Sequence, residues 1–213
     1  MKIVEHNPQR RRSDLPGFGN ETLESLESYW QTLRHAQKVP SRNDIEPSQI
    51  DDALPHAFIL QRVAPGVARM RVAGQRLHDL LKMDARGMPV STFFMPEARD
   101  EIARLIEAAF REPAIISIPL DAPATMLRGQ VTGTMLLLPL RDAQGATTRI
   151  LGALVTEGEI GHRPRRFKIT EGARLRRETL GLQLAGVQTL IPADPVEKPD
   201  TTRPALRLVV NNS

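Results

Sequence analysis

Cysteine is absent from all 213 residues of the chain, and this absence excludes several kinds of chemistry. Disulfide bonds, thiolate metal sites and cysteine nucleophiles all require that side chain. The same absence is typical of proteins that work in a reducing cytoplasm. We therefore expect neither disulfide bonds nor a thiolate metal site, and we predict no metal site of another kind.

Aromatic residues and long apolar runs are also scarce. Aromatics make up 4% of the chain, although the 40% apolar content suffices for one core. No run approaches the roughly 18–20 apolar residues that a membrane-spanning helix needs. Residues 1–7 hold no apolar signal-peptide segment. These features predict a cytoplasmic protein with no membrane insertion, built as one domain with tails.

Sequence motifs of catalysis are missing as well. The chain has no Walker-type phosphate loop and no Gly-x-Ser-x-Gly elbow. Two acid pairs, Asp51-Asp52 and Asp100-Glu101, lie at positions expected to be exposed. Adjacent residues on a helix point in different directions, so neither pair converges on a site. Solvated charge is the preferred interpretation, and we expect a protein that is not an enzyme.

The positive charge is concentrated near the carboxyl end. From His162 onward the chain has 10 basic and 5 acidic residues, whereas the preceding part has 19 and 20. A basic face on the predicted domain is therefore not expected, and DNA is not an expected partner. Arg163, Arg165 and Arg166 are candidates for binding phosphate or a nucleotide second messenger, because guanidinium groups suit such anions. A solvated basic tail is the alternative.

An amphipathic helix is predicted near the amino end, after a basic arm at residues 1–18. It spans residues 21–37, with Asn20 as its N-cap. Its apolar residues recur at helical spacing: Leu23, Leu26, Trp30 and Leu33. This stripe has two interpretations: it docks on the domain's own sheet, or it forms a dimerisation or partner surface. A connector follows, so that residues 19–54 flank the domain.

Residues 55–160 show an ordered series of strand and helix patterns. Alternating and strongly apolar runs predict strands, and 3.6-residue periodicity predicts helices. We expect an α+β fold with a five-stranded antiparallel sheet, helices on one face and the first helix on the other. The predicted strands are residues 55–63, 67–72, 114–120, 134–140 and 150–155, and the predicted helices are residues 73–81 and 97–111.

The segment 161–213 is predicted to be a mostly disordered basic tail. It contains five prolines, which block long helices. Apolar residues there are sparse, apart from residues 180–191 and 206–210. The second of these segments alternates in part and is a candidate docking peptide.

Several short motifs, taken in order, resemble the single-domain PAS family of alphaproteobacteria. They are Pro40-Ser41-Arg42, Arg71-Val72-Ala73-Gly74, residues 135–140, residues 150–154, Arg165-Arg166-Phe167 and residues 206–209. The resemblance implies a PAS fold and a sensory, regulatory or scaffolding role through protein contacts, with a homodimer expected. It also implies a cytoplasmic location, with a cell pole as the candidate site, and a link to cell-cycle, polarity or motility signalling. The alternative function is a nucleotide second-messenger or nucleic-acid-binding regulator that uses the basic tail.

PAS domains can hold cofactors, but none is expected here. Flavin photochemistry and thioester chromophores need a cysteine, and the long predicted helix has no histidine to ligate haem. His56 and His78 are interpreted as surface or hydrogen-bonding residues. A small apolar ligand is the remaining possibility, and its alternative is that the same side chains fill the core. The candidate pocket residues are Phe58, Leu60, Phe93, Phe94, Ile116, Ile118, Leu136 and Leu138.

Overall fold

The computed structural model describes residues 20–35 and 38–180, which form one antiparallel sheet with helices on both faces. Its α-helices are α1 (Glu21–Thr32), α2 (Gln75–Leu81) and α3 (Arg99–Arg111). Short 3₁₀ helices span Arg42–Asp44, Pro47–Gln49, Val90–Phe93 and Pro96–Ala98. The strands are β1 (Ala57–Ala64), β2 (Val67–Ala73), β3 (Ala114–Ala122), β4 (Val131–Arg141), β5 (Thr147–Glu157), β6 (Lys168–Ile169) and β7 (Arg176–Thr179).

The sheet has the strand order β2-β1-β5-β4-β3-β6, and β7 also pairs with β3. The α+β fold and the five predicted strands are confirmed, with each observed strand extending to or slightly beyond its predicted end. Pro119 in β3 lies between the residues that pair with β7 and those that pair with β6. Its carbonyl accepts a hydrogen bond from the Thr170 amide at 3.0 Å. The missing N–H of the proline therefore falls in the gap between the two short strands, where no ladder partner is needed.

The inner face of the sheet packs against α2, α3 and the 3₁₀ segments. The predicted amphipathic pattern of α3 is confirmed, because its apolar stripe enters this core. Ile106, for example, is 1% exposed. The consecutive leucines of β4 are buried on both faces: Leu137 faces inward, whereas Leu136 and Leu138 face outward. The sheet thus separates an inner core from an outer core.

Helix α1 covers part of the outer face. Asn20 caps it as predicted, accepting from the amides of Thr22 at 3.1 Å and Leu23 at 3.4 Å. The helix ends at Thr32, earlier than predicted. Leu23, Leu26 and Trp30 pack into the outer core and are at most 3% exposed. The first interpretation of the stripe is therefore the one the structure supports. The prediction that this stripe is a dimerisation or partner surface is corrected, because the chain's own sheet already covers these three side chains. Leu33 packs beside them.

The predicted disordered tail is wrong for its first part. Phe167 is fully buried in the inner core. Its amide donates to the Phe93 carbonyl at 2.8 Å, and its carbonyl accepts from the Met95 amide at 2.9 Å. The strands β6 and β7 then pair with β3. We call residues 165–179 the C-terminal strap. The rest of the predicted tail, the amino-terminal arm and residues 36–37 lie outside the described residues. Among the described helices, none is long and apolar enough to cross a membrane.

Candidate functional site: a basic cleft beside the β3–β4 hairpin

The eight residues predicted to line a ligand pocket do not form one wall. Six of them belong to the inner core, whereas Leu136 and Leu138 belong to the outer core on the opposite face of the sheet. All eight are at most 2% exposed. The Phe58 ring lies over Gly152 so closely that a Cβ atom there would be 2.4 Å from its Cζ. These contacts favour the alternative interpretation, in which the side chains fill the two cores.

Both histidines of the domain make hydrogen bonds within the fold. His78 accepts from the Ala85 amide at Nδ1, 3.0 Å away, so its Nε2 carries the proton that reaches the Ala73 carbonyl at 3.1 Å. His56 Nδ1 lies 3.3 Å from the Leu154 carbonyl, and burial lowers the pKa of this imidazole. Within residues 20–35 and 38–180, no three acidic or histidine side chains are grouped to hold a metal ion.

A cleft of about 510 Å³ lies between the β3–β4 hairpin and the loop that follows β5. We call it the basic cleft. The hairpin contributes Thr125, Leu127, Arg128 and Gly129, and the loop contributes Glu159, Gly161, His162, Arg163 and Arg165. Cationic side chains therefore outnumber the one carboxylate in its walls. The cleft lies outside both cores.

Backbone geometry shapes both walls of the basic cleft. Thr125 and Arg128 exchange two backbone hydrogen bonds, of 2.8 and 3.2 Å, which close a tight turn. This turn places Met126 and Leu127 at its tip, where both are almost fully exposed. On the other wall, Gly158 has φ +104°, and a Cβ there would lie 2.8 Å from the Gln130 carbonyl oxygen. Glycine is therefore needed where the chain leaves β5.

Arg165 joins the two walls. Its guanidinium donates to the carbonyls of Ile160 at 2.9 Å, Gly129 at 3.0 Å and Glu159 at 2.8 Å. The residue is only 3% exposed. Burial lowers the pKa of its guanidinium, the nearby charge of Arg128 lowers it further, and the Glu159 carboxylate partly opposes both. The fold thus holds a buried cation whose hydrogen-bond partners are neutral carbonyls.

Two of the three predicted anion-binding residues lie in the basic cleft. Arg163 and Arg165 line the basic cleft, whereas Arg166 is exposed and lies outside it. Arg128 is a wall residue that the sequence analysis missed; its guanidinium reaches the Pro164 carbonyl at 3.3 Å. A lone arginine in a hairpin gives no local signal. Only the long-range pairing of β4 with β5 brings it beside the later segment.

A second groove, of about 440 Å³, lies along α3 near the β1–β2 turn. Its central acid, Glu107, forms an ion pair with Arg62 and accepts the Gly66 amide at 3.0 Å. Glu112 at the same groove pairs with Arg177 at 2.6 Å. Both acids of this groove are thus already paired with arginines, although Arg104 and Arg111 also line it. The groove holds two carboxylates against the single one of the basic cleft, so it is a weaker candidate for binding an anion.

Comparison with solved structures shows similarity to light-sensing domains at low sequence identity. The LOV domain of the blue-light photoreceptor Aureochrome1, in its light state, is 15% identical over 55% of this chain and 91% of that chain, with a TM-score of 0.37. An RNA-binding light-oxygen-voltage receptor is also 15% identical, over 55% of this chain and 35% of that chain, with a TM-score of 0.36. No curated protein matches the sequence.

The family comparison is the more informative. Residues 19–155 match the family model described as PAS domain. The match begins just before α1 and ends within β5, so it spans well over half of the chain and includes the flanking helix. The matched residues include the four earlier short motifs, up to residue 154, so the PAS resemblance is confirmed there, and the protein belongs to the PAS domain family.

Proposed function

We propose that the protein is a non-catalytic sensory or scaffolding regulator that acts through protein–protein contacts, in signalling linked to the cell cycle, polarity or motility. The observation that supports this proposal is a set of exposed valines on the outer face of the sheet, at the end that α1 leaves uncovered. Val63, Val67 and Val72 are 47%, 41% and 48% exposed. We call these three residues the outer patch.

The outer patch lies on the same face as α1. Val72 pairs with Ile59, whose side chain belongs to the outer core. Helix α1 contacts β4 and β5, and the valines lie beyond them, on β1 and β2. Gln61 accepts a hydrogen bond from Arg71 between the two ends of the patch. Apolar area therefore lies at both ends of this surface, with a polar pair between them.

A partner would meet the face of β2 and not its free edge. The Met70 amide donates to the Met88 carbonyl at 3.0 Å, and the Gly87 amide donates to the Met70 carbonyl at 2.7 Å. Residues 87–89 thus cover the middle of this edge strand. Strand addition, the other common way for a sheet to bind a chain, is blocked there.

The occupant that we propose for the outer patch is a second copy of the chain. A two-fold interface brings the same patch of each subunit together, so three valines on one protomer meet apolar groups on the other. This surface takes the place of the α1 stripe as the site of the expected homodimer.

Light scattering across a concentration series tests this proposal. The double variant Val63→Glu, Val72→Glu is expected to shift the protein to monomer, because it places like charges at a two-fold interface. Met83→Glu is the matched control, since Met83 is 52% exposed and lies outside the patch. A wild type that is monomeric throughout, or equal dissociation by Met83→Glu, would contradict the proposal.

The alternative function is a regulator that binds a nucleotide second messenger. It is favoured by one observation, which is that Arg163 and Arg165 share the basic cleft. The cytoplasmic or polar location stays a prediction, and fluorescence microscopy of the tagged full chain tests it.

A further inference from the structure

We propose that the basic cleft binds a phosphate-bearing small molecule of nucleotide size. The inference deepens the alternative function and does not depend on self-association through the outer patch. Three guanidinium groups, from Arg128, Arg163 and Arg165, line the cleft, against the single carboxylate of Glu159. Among the described residues, no acid lies within ion-pair distance of any of the three. The cleft therefore has an excess of positive charge that a bound anion would neutralise.

Arg165 provides the strongest argument. Placing a cation out of water is unfavourable unless a counter-charge is near, and its three carbonyl partners solvate the charge without neutralising it. A guanidinium has five N–H groups, so three such bonds leave two. Glu159 lines the same cleft but forms no ion pair with Arg165. A phosphate at the cleft would supply both a direct negative partner and acceptors for these groups.

The ligand class follows from the shape and the chemistry of the walls. Guanidinium groups match phosphate oxygens in a two-pronged geometry that lysine does not provide. The volume of about 510 Å³ falls within the range of roughly 300–1,000 Å³ that small-molecule sites occupy. Leu127 adds an exposed apolar side chain at the rim, suited to the flat face of a base. These walls fit a nucleotide better than an isolated phosphate ion.

Calorimetric titration of the full chain with ADP and with pyrophosphate tests the proposal. We expect ADP to bind more tightly than pyrophosphate. Arg128→Gln and Arg163→Gln are each expected to weaken ADP binding roughly tenfold, since each removes a charge-assisted hydrogen bond. Glu159→Gln should strengthen binding, because it removes the competing carboxylate, and a purely structural role would not produce that gain.

Arg166→Gln is the matched control. Arg166 is an exposed arginine three residues from Arg163, and it lies outside the cleft. Its substitution should leave the affinity for ADP unchanged. Arg165 is not substituted in this test, because its loss is expected to disturb the fold. Melting temperatures of the Arg128 and Arg163 variants should equal that of the wild type.

Three results would overturn the proposal. One is a wild-type protein that binds neither probe at millimolar concentration. Another is an equal loss of ADP affinity in Arg166→Gln and Arg163→Gln, which would indicate diffuse electrostatic attraction. The third is tighter binding of a single-stranded RNA oligonucleotide than of ADP, with the RNA affinity lowered equally by Arg166→Gln and Arg163→Gln. This result would assign the surface to nucleic acid.

Discussion

Single residues decide how closely side chains pack on neighbouring strands of this sheet. Gly152 in β5 lies between the Phe58 ring and the Leu136 carbonyl, which a Cβ atom would meet at 2.4 and 2.5 Å. One of these neighbours is backbone and the other is a fully buried ring. Neither can move without disturbing the sheet, so the absence of a side chain is a packing requirement here.

Gly152→Ala is expected to lower the free energy of unfolding by about 1–3 kcal/mol, the usual effect of overpacking. Urea denaturation measures the change. Gly129→Ala is the control, because a Cβ there meets no atom within 4 Å. If Gly152→Ala matches the wild type in stability, the inference that Phe58 leaves no room for a side chain at this position is wrong.

Glu107 gives the domain a predictable response to acid. The Gly66 amide lowers the pKa of this carboxyl, burial raises it, and the Arg62 guanidinium lowers it further, leaving it below its usual value of 4.5. A lowered folded-state pKa means that the carboxylate stabilises the fold above about pH 4.5. That contribution is lost as the pH falls through the folded-state value.

We therefore expect Glu107→Gln to be less stable than the wild type at pH 7, with the difference shrinking below pH 4.5. Thermal unfolding from pH 7 to pH 3 measures it. Glu101→Gln, at an exposed position of the same helix, should differ little from the wild type throughout. A constant difference for Glu107→Gln across this range would show that the carboxylate charge is not responsible.

At the scale of elements, the C-terminal strap joins parts of the fold that are distant in sequence. Arg176 in β7 makes two hydrogen bonds, of 2.7 and 2.8 Å, to the carboxylate of Glu27 in α1. Both side chains are 12% exposed. The pair therefore links the first described helix to the last described strand. Mostly buried, two-pronged pairs of this kind are better stabilised than ion pairs in open solvent.

A double-mutant cycle with Glu27→Gln and Arg176→Gln is expected to give a coupling energy of about 1–2 kcal/mol. The comparison pair is Arg177–Glu112, whose side chains are 38% and 71% exposed. Its cycle should give less than about 0.5 kcal/mol. Equal coupling in the two pairs would mean that burial of Glu27 and Arg176 adds nothing.

For the whole molecule, the folded domain extends beyond the family match. That match ends at residue 155, whereas Arg165 and Phe167 are buried later in the chain. Phe167 also fixes the chain around Phe93 and Met95 through backbone hydrogen bonds. A chain that stops after β5 would expose apolar surface in the inner core and lose the carbonyl contacts of Arg165.

We expect a chain truncated after Glu157 to melt far below one truncated after Leu182, or not to fold. Circular dichroism on heating measures the difference. Phe167→Ala in the full chain separates the effect of the side chain from that of chain length, with an expected loss of about 3–5 kcal/mol. Equal melting temperatures for the two truncated chains would show that the strap does not stabilise the core.

The parts of this fold that were predictable are those with an apolar pattern. Helix α3 repeats apolar residues at the helical spacing, and β2 alternates buried and exposed residues, whereas β1, β3, β4 and β5 contain continuous apolar runs. Strand β7 reads Arg-Arg-Glu-Thr and is held by backbone pairing and ion pairs, so it has no such signal. The burial of Arg165 was equally hidden, because a buried arginine within an arginine-rich run looks like solvated charge. The basic cleft depends on such residues and on long-range pairing, so only two of its residues were predicted.

Trp30 is the only tryptophan in the chain, and this gives the protein a built-in optical reporter. Its indole N–H donates to the Pro139 carbonyl at 3.1 Å, and its side chain is completely enclosed between α1 and the sheet. Tryptophan emission moves to longer wavelength when the ring enters water. The fluorescence of Trp30 therefore detects the release of α1 from the sheet without an added label. Any binding partner or small molecule that displaces this helix would shift the emission of Trp30 to longer wavelength.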